Sequence, residues 1–499
     1  MEQIVRTRPR TYGNWRKPTS PGILGLGLIP TVVLLAGLIA IIFALLVSLY
    51  AAVFLAVMLC VVLVPLMIRD RHGRNGMQWI AARAAWGMAK AQGKHLYRAG
   101  PVGRTPPGTC QLPGIGAATR MYEAVDAYQR PFGLLHIRSV DDYTIVLQCD
   151  ADGAALVDDE QIDTWVAYWG QWLSTLGNEP GLVAASVTVE TAPDTGERLR
   201  NEIGGNLTAD SPELSKRVLA KVLDAYPVGA ARISTRISLT FEARGRGGGK
   251  SRDAAEMATE IGARLPALTA GLSMTGAGAA FPMSGAQIAA AVRVAYDPSV
   301  AVLIDRARIE NEAGLRWSDA GPFATQESWD HYRHDGAFSI TWAMSDAPRG
   351  EVFASVLQRL LSPHDDILRK RVTIIYRPHD AGTAARIVER DIKDARFKAQ
   401  QGTKVSARDT VALSAAEQSA MEEATGAGLM RFGMLVTATV DQHAKLPLAA
   451  AAVDNLSASA RLVLRRAYGA QASSFAAALP LGFVLPRHLR IPQTLRETM

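Results

Sequence analysis

Charge is missing over a long stretch of this chain. No charged residue falls between Gly22 and Ile68, a run of 47 residues reading GILGLGLIPTVVLLAGLIAIIFALLVSLYAAVFLAVMLCVVLVPLMI. A soluble surface helix needs a polar face, and this run has none. Cysteine is scarce as well. Cys60, Cys110 and Cys149 have no metal-ligand spacing and form no disulfide framework, which suits a reducing cytoplasm. G-x-S-x-G and H-E-x-x-H are both absent, and no Cys–His arrangement has useful context. These absences remove the common signatures of hydrolases and zinc proteases.

What the uncharged run contains is enough apolar sequence for two membrane helices of about 20 residues each. Backbone in lipid must close its hydrogen bonds internally, so the run is predicted helical. One straight helix of that length would reach about 70 Å at about 1.5 Å per residue, against a hydrocarbon core of about 30 Å. The chain is therefore expected to turn back near Ser48 and Tyr50, with spans near 24–45 and 50–68. A single tilted span and an uncleaved signal are the competing readings. About 21 mostly polar residues precede the run and no small-residue cleavage site follows it, a poor fit to a signal peptide.

Both flanks are basic. Arg6, Arg8, Arg10, Arg16 and Lys17 lie upstream; Arg69, Arg71, Arg74, Arg83, Lys90, Lys94 and Arg98 lie downstream. Residues 1–104 carry a net charge of +11 while the whole chain carries +7, which leaves −4 for residues 105–499. The basic balance thus belongs to the membrane flanks. Positive-inside reasoning places both flanks, and the large body after them, in the cytoplasm beside a plasma membrane. Anionic lipid is the expected partner of Arg6, Arg8, Arg10, Arg16, Lys17, Arg69, Arg71, Arg74, Trp79 and Arg83. Direct DNA contact is not expected.

The remaining chain divides into residues 1–21 as a basic segment, 22–68 as the hairpin, 69–114 as a basic amphipathic helix with a Gly/Pro linker, 115–330 as a first α+β region and 331–499 as a second. In 69–99, Met77, Ile80, Ala84, Met88 and Ala91 can share one side, with Trp79 and Trp86 seven apart. Such a helix either lies on the inner leaflet or packs on the body. Alternating apolar residues predict strands over 133–140, 142–150, 182–191, 231–243, 336–348, 370–380 and 432–441. Helices are predicted over the segment from Asp158 to Gly177, then about 211–225, 251–270, 282–298, 351–362, 381–400, 411–428 and 455–469. The pattern implies α+β architecture of tandem small α/β-sandwich modules, ferredoxin-like, with helices on one sheet face.

Candidate chemistry is thin. GRGGGKS (245–251) sits between a strand and a helix and ends in Gly249, Lys250 and Ser251, as a phosphate loop does. The first glycine of that motif should fall at Arg244, so a flexible turn with a solvated lysine is the better reading. His331, His334 and Asp335 cluster in WDHYRHDG without a fourth ligand, and read as a turn before a strand. The pairs Asp141–Asp142, Asp158–Asp159 and Asp365–Asp366 read as turns and helix caps. No cofactor, metal or catalytic residue is expected.

Two segments carry a family resemblance. TRPRTYGNWRKPTSPGILGLG (7–27) has Tyr12, Gly13, Trp15, Pro18 and Gly22. YRHDGAFSITWAMSDAP (332–348) has Tyr332, Asp335, Gly336 and Trp342, with Ala347-Pro348 where a relative often carries Trp-Pro. The chain resembles an actinobacterial family of integral membrane proteins encoded in integrative and conjugative elements beside type IV secretion-like genes. The hairpin resembles the small inner-membrane component of those systems. YGAQASSFAAALPLG (468–482) resembles the end of the amino-terminal domain of the conjugation ATPase, here with no motor and no intact phosphate loop. More distantly the chain is similar to the E component of ESX (type VII) secretion. The resemblance implies a non-enzymatic structural component of a conjugation or secretion apparatus, partnered by other channel subunits and a separate motor ATPase. A type VII-like component, a divergent nucleotide hydrolase using Lys250 and a membrane-tethered nucleic-acid-binding module are the alternatives.

Overall fold

A computed structural model describes residues 10–13, 15, 28–68, 70, 74–100, 103, 105–106, 108–153, 157–208, 210–225, 231–245, 250–310, 314–348, 350–401 and 407–489. Three helices open the chain: α1 (Leu28–Val47), α2 (Leu49–Met67) and α3 (Gly76–Ala91). Extended backbone at Ser48 separates α1 from α2. The two fold back on each other, since Gly37 lies against Leu59, each eleven residues from Ser48. A methyl on Gly37 would come within 2.4 Å of the Leu59 side chain, so the close approach needs glycine there.

The body is α+β. In its first half come β1 (Leu96–Arg98), β2 (Thr119–Val125), β3 (Pro131–Ile137), β4 (Asp142–Asp150), α4 (Asp159–Leu176), β5 (Leu182–Pro193), α5 (Glu197–Asn206), α6 (Glu213–Ala225), β6 (Ala231–Glu242), α7 (Ala254–Ala270), β7 (Ala279–Pro282), α8 (Gly285–Tyr296) and α9 (Ala301–Ile309). The second half holds β8 (Ala324–Glu327), β9 (Tyr332–His334), β10 (Ala337–Asp346), α10 (Gln358–Leu361), β11 (Arg369–Pro378), α11 (Ala381–Gln401), α12 (Ala407–Ala424), β12 (Met430–Val440), α13 (Leu446–Ser459), β13 (Val463–Arg466) and α14 (Gln471–Ala477).

The thirteen strands of the described residues join one antiparallel sheet, where the sequence leads us to expect separate modules. Its main path runs β1-β8-β9-β10-β12-β11-β5-β6-β4-β3-β2. The pairing order repeats. In the first half β7 pairs β4, β4 pairs β6 and β6 pairs β5. In the second β13 pairs β10, β10 pairs β12 and β12 pairs β11. The halves meet edge to edge at β5 and β11, from Ala185↔Tyr376 to Thr191↔Lys370. A strand edge left open invites aggregation, and here each half covers the other's.

Alternation gives the sheet two buried faces. On one, α4 and α7 cover the first half through Trp172, Leu176, Met257, Ile261 and Leu265 against Ile145, Ile237 and Leu239. On that face of the second half, α13 and α10 cover Ile340, Trp342, Val372 and Val436. The other face is rich in hydroxyls, and α8 and the segment 471–484 cross it. Thr144 and Thr240 share a hydrogen bond of 3.1 Å, as do Thr188 and Thr373, while Thr341 and Thr437 share one of 3.0 Å. Irregular buried backbone needs partners, and these threonines supply them. Thr373 donates to the Ala478 carbonyl at 2.8 Å and Thr240 to that of Gly482 at 3.0 Å. Gly482 takes φ +68°, and a Cβ there would meet Thr240 Oγ1 at 2.1 Å.

Two predicted helices need correction. Residues 455–469 are not one helix: α13 ends at Ser459, Arg461 takes φ +53°, and β13 follows. The helix over 351–362 shrinks to a 3₁₀ turn at Ala354–Leu357 and α10.

Lys370 lies on the α13 side of β11, 2 % exposed, and donates to the Ser362 carbonyl. Burial lowers its ammonium to about 8. Below that pH the folded and unfolded states both carry the charge, and the fold bears its desolvation. As pH rises from about 8 towards the unfolded value near 10.4, the folded state sheds its proton first and this penalty fades. Lys370→Met is therefore expected to be more stable than the parent chain at pH 7, by on the order of 2 kcal/mol. The gap should narrow towards pH 9.5 in detergent melts, and a gap that widens with pH would contradict this account.

Candidate functional site

The chain leaves α2 through extended backbone at Ile68 and turns at once. The Asp70 amide donates to the Arg74 carbonyl at 2.9 Å and the Gly76 amide to that of Ile68 at 3.0 Å. Gly76 packs on Pro65, whose carbonyl oxygen would lie 2.9 Å from a Cβ. Asn75 then precedes α3, its amide donating to Gln78 Oε1 at 3.4 Å. The end of α2 is thus packed against the start of α3.

A cavity of about 950 Å³ opens at that junction. Ile68, Asp70, Arg74 and Trp79 line it from the side of α2 and α3, and Trp342, Arg465 and Arg466 from the sheet. Arg466 stands 5.7 Å over the Trp342 ring. Burial lowers both Arg74 and Arg465, and Arg74 lowers Arg465 further, with Asp70 opposing. Arg465 Nη1 is buried without a hydrogen-bond partner. Arg74, Arg465 and Arg466 share this lining with Asp70 and Asp454, so guanidinium groups outnumber carboxylates there.

The α3 helix is fixed by aromatic contacts. Trp329 takes Arg83 over its face at 4.6 Å, Trp86 at 6.1 Å and a stacked Tyr468 at 5.9 Å. Trp79, Ile80 and Met88 stay exposed on α3. Of the two readings of this helix, packing on the body holds for the Trp86 side. The regular helix begins at Gly76 and ends at Ala91, shorter than the predicted 69–99.

The predicted flank residues divide. Arg74 and Trp79 reach the cavity, Arg83 reaches Trp329, and Arg10 is exposed. Arg6, Arg8, Arg16, Lys17, Arg69 and Arg71 lie outside the described residues, as does Gly249. Lys250 is exposed, and Ser251 Oγ donates to Asp141 Oδ2 at 2.5 Å, closing a turn bridged by Arg244 and Ser251. His334 is buried, with its ring nitrogens 2.5 Å from the Tyr296 carbonyl and 2.7 Å from Ser339 Oγ, while His331 pairs with Asp330. Burial pushes Asp142 up to about 7 against the pull of Arg487 at 2.7 Å, but it is 1 % exposed. Asp158 precedes α4, and Asp365 and Asp366 are exposed.

Arg465 and Arg466 were not among the residues singled out. Their only sequence signal is an arginine pair beside Tyr468, nearly 400 residues from Arg74.

Of the landmark residues of the N-terminal segment, Tyr12, Gly13 and Trp15 sit on the body, and Pro18 and Gly22 lie outside the described residues. Tyr12 and Val352 exchange two backbone hydrogen bonds of 2.8 Å, Tyr12 Oη donates to Asp163 at 2.6 Å, and Trp15 meets Phe432 edge-on at 6.5 Å. α2 is, among the described residues, the one helix long and apolar enough to cross a membrane, and Thr31–Val47 within α1 is a shorter apolar helix. Phe43, Leu46, Phe54 and Val61 are exposed, each by 65 % or more, as lipid-facing side chains would be.

A family model described as a domain of unknown function (DUF8461) matches residues 19–78. The match spans the helical hairpin and the start of α3. No curated protein matches the chain.

Replacing Trp329 with Ala removes the surface on which Arg83 and Trp86 rest. Amide exchange in α3 should accelerate while that in β4 and β6 stays unchanged, read by hydrogen–deuterium exchange. Unchanged protection of α3 would show that other contacts hold it.

Proposed function

We propose that this chain is a non-enzymatic, membrane-anchored structural component of a type IV-like conjugation or secretion apparatus. The observation that carries the anchoring is the pairing of Tyr12 with Val352. Residue 12 precedes the apolar helices and residue 352 follows them, so both lie on one side of the bilayer. A chain that begins and ends on one side crosses an even number of times, which favours α1 and α2 entering and returning as a two-span hairpin. The +11 charge of residues 1–104 makes that side the cytoplasm of a plasma membrane. The Arg74–Arg465 cavity, at the depth where α2 ends, suits the phosphate of an anionic lipid headgroup.

The strand order in each half, fourth-first-third-second with helices after the first and third strands, is that of a ferredoxin-like module. We read the body as two such modules fused edge to edge. The resemblance of residues 468–482 to the end of a conjugation-ATPase amino-terminal domain fits this reading, because that segment crosses both modules. Docking surfaces for other subunits and a separate motor ATPase are at hand. The α11–α12 hairpin exposes Phe397, Val411 and Met421, and α6 exposes Leu214, Val218 and Val222. Lys250 and Ser251 give the nucleotide-hydrolase alternative little support, since Ser251 is committed to Asp141.

The topology is tested with a Thr11→Cys, Glu351→Cys chain, whose parent side chains hydrogen-bond at 2.6 Å. A short bismaleimide should link the two cysteines in intact membranes; a single span would part them and give no link. The role is tested by purifying tagged full-length protein from native membranes in mild detergent. Channel subunits and a motor ATPase should accompany it, and a protein that comes out alone under several mild detergents would refute the role.

A further inference from the structure

The hydroxyl-bearing face of the sheet holds a second cavity, of about 340 Å³, remote from the membrane junction and independent of the function proposed above. β4, β5, β6 and β11 form its floor, and α8 and α9 its roof. Five arginines line it: Arg198, Arg232, Arg236, Arg308 and Arg369. The carboxylates there are Asp150, Glu190 and Asp305, so positive charge is in excess.

Donors are in excess too. Glu190 takes one hydrogen bond each from Arg236 at 3.2 Å, Arg369 at 3.4 Å and Arg371 at 3.1 Å. Asp305 accepts from Thr195 at 2.9 Å. It stands 3.8 Å from Arg232 and 3.9 Å from Arg308, beyond hydrogen-bond reach. Arg236 Nε is buried without a partner. Each guanidinium offers five N–H groups in a planar fork suited to phosphate. The opposite wall is small and apolar, with Ala290, Ala291 and Val294 of α8. Pockets of this kind join a few convergent polar groups to an apolar surface, and about 300 Å³ is the lower bound for a small-molecule site.

We propose that this cavity binds a small phosphate ester, its phosphoryl group on Arg236, Arg369, Arg198 and Arg308 and its carbon skeleton against the alanines of α8. Arg198 and Arg308 guard the mouth, both largely exposed, so their removal leaves the buried Glu190 cluster intact. Arg236 and Arg369 meet the ligand at the floor.

Inorganic pyrophosphate and a nucleoside monophosphate serve as probes, titrated calorimetrically into the detergent-purified full chain. Saturable binding of at least one is expected, weakened at least tenfold in the Arg198→Ala, Arg308→Ala double variant, whose melting temperature in the absence of probe should match the parent's. Lys250→Ala and Arg465→Ala should bind as the parent does. No binding up to several millimolar would overturn the proposal. So would a double variant that binds normally, or binding lost in Lys250→Ala or Arg465→Ala, which would move the site to the 245–251 turn or to the membrane junction.

Discussion

The two halves of the body depend on how one buried carboxylate is held. Glu190 sits on β5, beside β11, and faces Arg236 from its own half and Arg369 and Arg371 from the other. Burial alone would raise its carboxyl; Arg369, Arg371 and Arg236 together hold it far below the ordinary range. A buried ion cluster is weak evidence of net stability, because desolvation consumes most of the Coulomb gain. Its stronger consequence is register. Arg371 lies directly opposite Glu190 in the β5–β11 ladder. A one-residue slip would send one of the two to the opposite face and strand a charge among Val372, Val436 and Ile340. The joint therefore closes in a single register, and the sheet continues through it.

That continuity creates a surface too wide for one helix pair to cover. The hydroxyl face extends across both halves, and the segment 471–484 is what seals it. Phe475, Leu479, Leu481 and Phe483 are each at most 1 % exposed, though only the first belongs to a regular helix. Threonine resolves the conflict between an apolar lid and its unpaired carbonyls. It suits a strand by its branched Cβ and donates by its hydroxyl, so the same residue builds the sheet and satisfies the lid. The paired threonines recur at matching places, Thr144–Thr240 and Thr341–Thr437, each joining the first and third strands of its half. This is the physical trace of the repeated strand order, carried by side chains where the sequence itself shows no repeat.

Much of this was legible in advance. Strands β4, β5, β6, β11 and β12 fall within two residues of their alternating patterns, because each buries both faces in a fixed register. Helices α4, α7, α8 and α11 fall within three residues of their expected bounds, α4 with Asp158 at its N-cap as expected. What escaped was non-local. β7 and β13 are four-residue edges that exist only because β4 and β10 offer them a partner. Around α13 the alanine run after Pro447 starts the helix early, and Arg461 at positive φ ends it before Leu462 and Leu464 turn towards the core. The basic flanks of the apolar run could be read from charge alone. The arginine pair that completes the junction cavity could not, since Arg465 and Arg466 reach Arg74 only through the pairing of β13 with β10. The threonine alternation in DYTIV, ISLTF, SITWA and LVTAT was a visible signal of a face that is buried yet polar.

The apolar helices α1 and α2 are flanked on both sides by contacts with the sheet. α3 is held on Trp329, and β1 pairs with β8, so the chain leaving the apolar helices is bound to the second half of the sheet within about thirty residues of Met67. Residues 10–15, on the other flank, return to that second half through Val352 and Phe432. Among the described residues, both flanks of the apolar pair thus meet the same half of the sheet, by backbone pairing at Val352 on one side and at β8 on the other.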